Sequence, residues 1–148
     1  MKTFENPANE ICDAATDISG LLPYTPDNVN NVGSYPYFTS SACDVRAGTR
    51  ALWYKITPTS NAIIEAYPNA GTSWTEGISL FSGSCDSLTC EIPTVYFGSS
   101  IEFPAEAGKT YYLVISGGNF NDAGGLYLEV KTFENPANEI CDTATDIS

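Results

Sequence analysis

The 148-residue sequence contains no histidine, one methionine, and six basic residues against eighteen acidic ones. Each shortage excludes something. Without histidine, the usual general base beside a nucleophilic serine or cysteine is missing. A zinc site would have to be made from thiolates and carboxylates alone. A formal charge of −12 and an isoelectric point near 4.1 exclude nucleic acid as a partner, because phosphate binding needs a basic face that releases counterions. No apolar run approaches the roughly 18 residues of a membrane span, and the opening Met1-Lys2-Thr3-Phe4-Glu5-Asn6-Pro7 lacks the hydrophobic core of a signal peptide. There is no Asn-x-Ser/Thr acceptor, which excludes N-linked sugar at that motif and leaves O-linked sugar on the abundant Ser and Thr open. No Gly-rich phosphate loop precedes a helix, and no Cys-x-x-Cys pair occurs.

What is present is a foldable chain. A hydrophobic fraction of 43%, with nine Tyr, seven Phe and two Trp, is too apolar for an acidic disordered tail. The length fits one domain that buries about two-thirds of its unfolded surface.

An internal repeat sets the organisation. Residues 2–19 read KTFENPANEICDAATDIS and residues 131–148 read KTFENPANEICDTATDIS, a match at seventeen of eighteen positions with only Ala14 against Thr143 changed. The offset of 129 residues makes residues 1–130 one β-sandwich unit and residues 131–148 the first segment of the next. Leu126-Tyr127-Leu128-Glu129-Val130 alternates like a strand and runs through Lys131 and Phe133 into Asn135 and Pro136 with no Gly/Ser linker. So short a junction favours a stiff head-to-tail array, either as one tandem polypeptide or as separate subunits in which residues 131–148 dock on the next subunit where that subunit's own first segment would otherwise sit.

The repeat also explains an odd cysteine count. Cys12, Cys43, Cys85 and Cys90 belong to one period, and Cys141 is the copy of Cys12 in the next. Disulfides are the expected use, in an oxidising compartment. Cys85 and Cys90 are separated by only four residues in a Gly/Ser-rich stretch, which pairs them locally and leaves Cys12 to Cys43. By the same reasoning Cys141 bonds outside its own repeat, to an equivalent of Cys43.

Between the repeated ends the pattern has period two. Leu52, Tyr54 and Ile56 share a face within residues 50–57; Ala62, Ile64 and Ala66 within 62–67; Tyr111, Leu113 and Ile115 within 109–116. Further strands are expected at 35–41, 77–81, 94–97 and 101–103, each bounded by turn residues such as Pro68-Asn69-Ala70-Gly71. About eight short strands predict an all-β, antiparallel, jelly-roll-like sandwich stabilised by disulfides. Only residues 9–18 could hold a helical turn.

In this order the sequence resembles the bacterial pre-peptidase C-terminal domain. The matching stretches are Asn9-Glu10-Ile11-Cys12-Asp13-Ala14-Ala15, Leu52-Trp53-Tyr54-Lys55-Ile56-Thr57-Pro58, Ser79-Leu80-Phe81-Ser82-Gly83-Ser84-Cys85, Ala107-Gly108-Lys109-Thr110-Tyr111-Tyr112-Leu113-Val114-Ile115-Ser116-Gly117 and Gly125-Leu126-Tyr127-Leu128-Glu129-Val130. The resemblance implies a small extracellular β-sandwich of the kind often appended to secreted proteases. Where family members often carry an acidic pair after the last disulfide cysteine, this chain has Glu91-Ile92-Pro93 after Cys90.

Few residues invite chemistry. Asn119, Asn121 and Asp122 bring oxygen ligands beside Gly124, but without the alternating acids and distal glutamate of a calcium loop. A tight turn is the expected reading, with no metal and no cofactor. Trp53 is expected to pack in the core or on a sheet face. Trp74 either caps the sandwich or contacts sugar or a neighbouring subunit. The sequence names no catalytic residue and predicts no enzyme. It predicts an extracellular structural unit of a fibre or stalk, whose partners are copies of itself. The alternative is an accessory module of a secreted enzyme that binds polysaccharide or a cell surface.

Overall fold

The computed structural model describes residues 9–26, 29–31, 43, 50–71, 76–96, 99–117 and 124–134. Nine strands lie among them: β1 (Thr16–Asp17), β2 (Val29–Asn30), β3 (Ala51–Ile56), β4 (Ala62–Asn69), β5 (Glu76–Ser84), β6 (Ser87–Tyr96), β7 (Ile101–Ala105), β8 (Tyr111–Gly117) and β9 (Gly125–Glu134). They form a five-stranded sheet of order β1-β3-β8-β5-β6 and a four-stranded sheet of order β2-β9-β4-β7. All pairings are antiparallel except that of β1 with β3, which is parallel. A single 3-10 turn, Cys12–Ala14, falls where the sequence allowed a helical turn. The strand expected at 35–41 lies outside the described residues.

The four-stranded sheet follows period two. Along β4, Ala62, Ile64, Ala66 and Pro68 are buried while Ile63, Glu65, Tyr67 and Asn69 are half-buried, so one face meets the core and the other meets solvent. The inward residues Ile64, Phe103, Leu128 and Val130 pack against Leu52, Ile56, Leu80, Leu113 and Ile115 of the five-stranded sheet. Phe103 and Tyr111 meet there at 5.2 Å between ring centroids.

The five-stranded sheet is buried on both faces. β8 is buried at every position, and so are the first seven residues of β5. Its outer face carries a second cluster of Ala51, Trp53, Phe81, Tyr112 and Val114. Trp53 is fully buried there, 6.1 Å from Phe81 in a stacked arrangement and 6.1 Å from Tyr112 edge-on.

Two disulfides clamp cover onto this outer face, and the pairing differs from the one expected. Cys12 bonds Cys85, with Cα atoms 5.8 Å apart, and Cys43 bonds Cys90, at 5.3 Å. The local Cys85–Cys90 bridge fails because the stretch is a hairpin and not a loop. Ser84 pairs with Ser87, and Phe81 with Cys90. Ser87 to Cys90 therefore runs extended, about 10 Å at ~3.4 Å per residue, and a bridge requires Cα atoms within about 7 Å. The tight reversal rests on Gly83 at φ 107°, where a Cβ would sit 2.7 Å from the Ser87 carbonyl oxygen. Register shifts between Ile78 and Phe81 then turn Cys90 to the outer face and Ile92 to the inner one.

Candidate functional site

The repeated segment is where this chain offers something beyond a fold, and the structure describes the opening of one copy, residues 131–134, and the later part of the other, residues 9–19. The opening continues β9. Strand β4 pairs with β9 from Asn69–Tyr127 through Ala66–Val130 and on to Glu65–Lys131, Ile64–Thr132, Ile63–Phe133 and Ala62–Glu134. Strand β9 thus runs past Val130 through Glu134, because the alternation of residues 126–130 continues and β4 has ladder positions left to satisfy it. Val130 is fully buried and exchanges backbone hydrogen bonds of 2.8 and 2.9 Å with Tyr24. Lys131 forms an ion pair with Glu129 at 3.0 Å, which holds the Glu129 carboxyl below and the Lys131 ammonium above their usual ranges. Phe133 is 49% exposed.

The later part, seen in the first copy at residues 9–19, fits along the free edge and outer face of β3. The Asn9 side-chain amide donates to the Trp53 carbonyl at 3.0 Å, and the Trp53 amide donates to the Asn9 carbonyl at 2.7 Å. Asn9 also hydrogen-bonds Tyr54, whose hydroxyl burial pushes up to about 12. Cys12 reaches Cys85; Thr16 and Asp17 pair with Tyr54 and Lys55; Ile18, fully buried in the inter-sheet core, donates its amide to the Lys55 carbonyl at 2.9 Å. The end is locked by Ser19. Its hydroxyl donates to Asp17 Oδ1 at 2.5 Å and accepts the Thr57 amide at 2.8 Å, while its own amide donates to Asp17 at 3.0 Å. These bonds from Ser19 hold the Asp17 carboxyl below its usual range. We call this edge of β3, with Cys85 beside it, the slot.

The two parts approach one another. Ser19 and Gly20 line a cleft of about 210 Å³ together with Ile56, Ala62 and Thr132, so β9 leaves the sandwich at the end where the slot segment finishes.

Of the residues singled out in the sequence, Cys12, Cys43, Cys85, Cys90, Val130, Lys131, Phe133 and Trp53 have the places just described. Trp74, Asn119, Asn121, Asp122, Asn135, Pro136 and Cys141 lie outside the described residues. Sequence reading missed two features. On the open face of the four-stranded sheet, Tyr67 and Tyr127 stand edge to face at 6.2 Å, with Tyr127 49% exposed; their alternation was visible, but not that β4 and β9 are neighbours. Between the edges β6 and β7, a cleft of about 380 Å³ has Ile92, Phe103 and Tyr111 in its lining and Glu91, Glu102, Glu106 and Lys109 around them. Lys109 approaches Glu91 at 3.5 Å. Among the described residues no group of three or more His, Cys, Asp or Glu could hold a metal, and no helix is long and apolar enough to cross a membrane.

No family model and no curated protein matches the chain. Among solved structures it is similar to a family 35 carbohydrate-binding module from an environmental isolate, at 12% identity and a TM-score of 0.38, over 79% of this chain and 91% of that one.

Proposed function

We propose that the chain is one unit, with the opening segment of a further one, of an extracellular protein built from β-sandwiches joined head to tail, and that it acts as a structural element of a fibre or stalk and not as an enzyme. The observation that carries this reading is β9. It passes from one period into the next without a break, and the residues after it duplicate the segment that closes the slot. Two disulfides fit a compartment outside the reducing cytoplasm. A unit of 129 residues has a radius of gyration of about 14 Å, hence a diameter near 36 Å. Image averaging of the native material should show a bead recurring every ~35–45 Å. Native material that is monomeric, or that repeats over a much longer distance, overturns the reading.

A second reading, a module that holds polysaccharide or a cell surface, is favoured by the open aromatic face. Tyr127 and Phe133 are each 49% exposed on one strand, with Tyr67 beside Tyr127, and exposed aromatic rings in a polar surround often mark contact sites. Retention on insoluble polysaccharides, abolished by Tyr127→Ala with the fold unchanged, would select it.

A further inference from the structure

The chain has one slot and two segments written for it. Residues 135–148 repeat, at the same spacing, the groups that hold residues 9–19 in place: Asn138 for Asn9, Cys141 for Cys12, Asp146 for Asp17, Ile147 for Ile18 and Ser148 for Ser19. The single difference between the copies, Ala14 against Thr143, falls at an exposed position whose interactions in the turn are made by its backbone. Every position that contacts the slot is therefore retained. Yet the slot is full. Edge strand β3 accepts one partner on that side, and Cys85 accepts one disulfide, which Cys12 already supplies.

We propose that residues 135–148 are a slot strand for another copy of this sandwich, lying along that copy's β3 in place of its own residues 9–19, with Cys141 bonded to that copy's Cys85 in exchange for Cys12. The partner of Cys141 is thus a Cys85 and not a Cys43, because the slot that fits the copied segment is the one Cys85 closes. The proposal rests on the tandem reading and adds to it the strand and the bond that would join successive units. The bond forms by thiol–disulfide exchange: the Cys141 thiolate attacks Sγ of that copy's Cys85, the Cys12–Cys85 bond breaks and Cys12 leaves as a thiol; where Cys12 is absent, the Cys85 and Cys141 thiols instead pass two protons and two electrons to a disulfide oxidant, itself reduced to two thiols. Docking buries Ile147 as Ile18 is buried here and pairs Asn138 with Trp53, so recognition is by backbone pairing and a buried aliphatic side chain and does not depend on the thiol alone.

The test uses the full chain with Cys12→Ala, which frees Cys85, oxidised with glutathione disulfide as a mixture of isotopically labelled and unlabelled chains. The expected result is disulfide-linked multimers whose Cys85–Cys141 peptides combine labelled and unlabelled halves. Adding Ile147→Asp should cut their yield at least ten-fold. Cys141 found on Cys43, Cys90 or a second Cys141, or on Cys85 of its own chain, overturns the proposal, as does indifference to Ile147→Asp. Should Cys12→Ala fail to fold, the wild-type chain is incubated with a synthetic peptide of residues 135–148 in a glutathione redox buffer. Capture of the peptide on Cys85 with release of Cys12 supports the proposal, and capture elsewhere or none overturns it. Bead spacing in native material tests the tandem reading separately, so the two can fail independently.

Discussion

The two sheets of this sandwich obey different rules. The four-stranded sheet buries one face and shows the other to solvent, and its strands β4 and β7 alternate accordingly. The five-stranded sheet buries both faces, so β3, β5 and β8 are buried at nearly every position, with apolar side chains predominating in β3 and β8. A sheet apolar on both sides requires cover, and here the cover includes residues 9–15 and Cys43, each tied down by a disulfide. The cysteines serve the sheet that a single core cannot satisfy. The other sheet, already satisfied, is free to carry an open face and to run past the repeat boundary.

The largest test of this contrast is to truncate one side chain on each outward face. Trp53→Ala removes a fully buried ring from the covered face and should cost about 3–5 kcal/mol, whereas Tyr127→Ala on the open face should stay within about 0.5 kcal/mol. Urea unfolding of both variants measures the difference. A small loss for Trp53→Ala would mean that the outer cluster is decoration and that one core holds the fold.

Next in size is the clamp itself. Cys12–Cys85 spans 73 residues and Cys43–Cys90 spans 47, and closing such loops restricts the unfolded chain by about 4 kcal/mol each. Replacing either pair with alanines should lower stability by roughly 2–5 kcal/mol. Non-reducing peptide mapping should recover these two pairs, and a Cys85–Cys90 peptide would show that the β5–β6 hairpin register is wrong.

Much of this was legible in the sequence. The alternation at residues 62–67 and a strand at 101–103 were read there, without the sheet they belong to, and the inward faces of β3 and β8 were read correctly through Leu52, Tyr54, Ile56, Tyr111, Leu113 and Ile115. The second burial was also written there, in Leu-Trp-Tyr and Tyr-Tyr-Leu-Val-Ile, but period two assigns Trp53, Tyr112 and Val114 to the outside, and only a cover supplied from elsewhere in the chain buries them. Disulfide pairing was hidden for the same reason. Sequence proximity favoured Cys85 with Cys90, whereas hairpin register and the shift after Ile78 aim them at different cover segments. The continuation of β9 to Glu134 was suggested by the missing linker, but the strand's end depends on the length of β4.

Alkaline titration sharpens the comparison through tyrosine. Tyr54 lies at the slot with its hydroxyl raised by burial to about 12. A buried neutral phenol resists ionisation, so the unfolded chain releases its proton first. The contribution is whole below pH 10 and declines as pH rises from 10 towards 12, by about 2–3 kcal/mol. Tyr127, raised by its hydrogen bond to Glu129, sits on the open face and should ionise without loosening the fold. Tyr54→Phe should flatten the decline in melting temperature above pH 10, and Tyr127→Phe should leave it in place.

The smallest expected effect separates two carboxylates held below their usual range by neighbours. Asp17 owes its shift chiefly to hydrogen bonds from Ser19 and, through Ser19, is linked to Thr57 at the end of β3, so its charge helps to fasten the slot segment to the sheet. Glu129 owes its shift chiefly to Lys131 and also accepts a hydrogen bond from the Tyr127 hydroxyl, but both partners lie on its own strand. For Asp17 the depressed value means that the stabilisation is present in full above the unfolded value of 3.8 and is lost as pH falls through the lower folded value. Because Asp17 is exposed, solvent screening limits the contribution to a few tenths of a kcal/mol. Asp17→Asn should therefore remove a small part of the acid sensitivity and raise the amide-exchange rate at Thr57 and Ile18, whose bonds close the slot. Glu129→Gln should change neither. Equal exchange at Thr57 in the wild type and Asp17→Asn would show that backbone pairing and Cys12 hold the segment without help from the carboxylate.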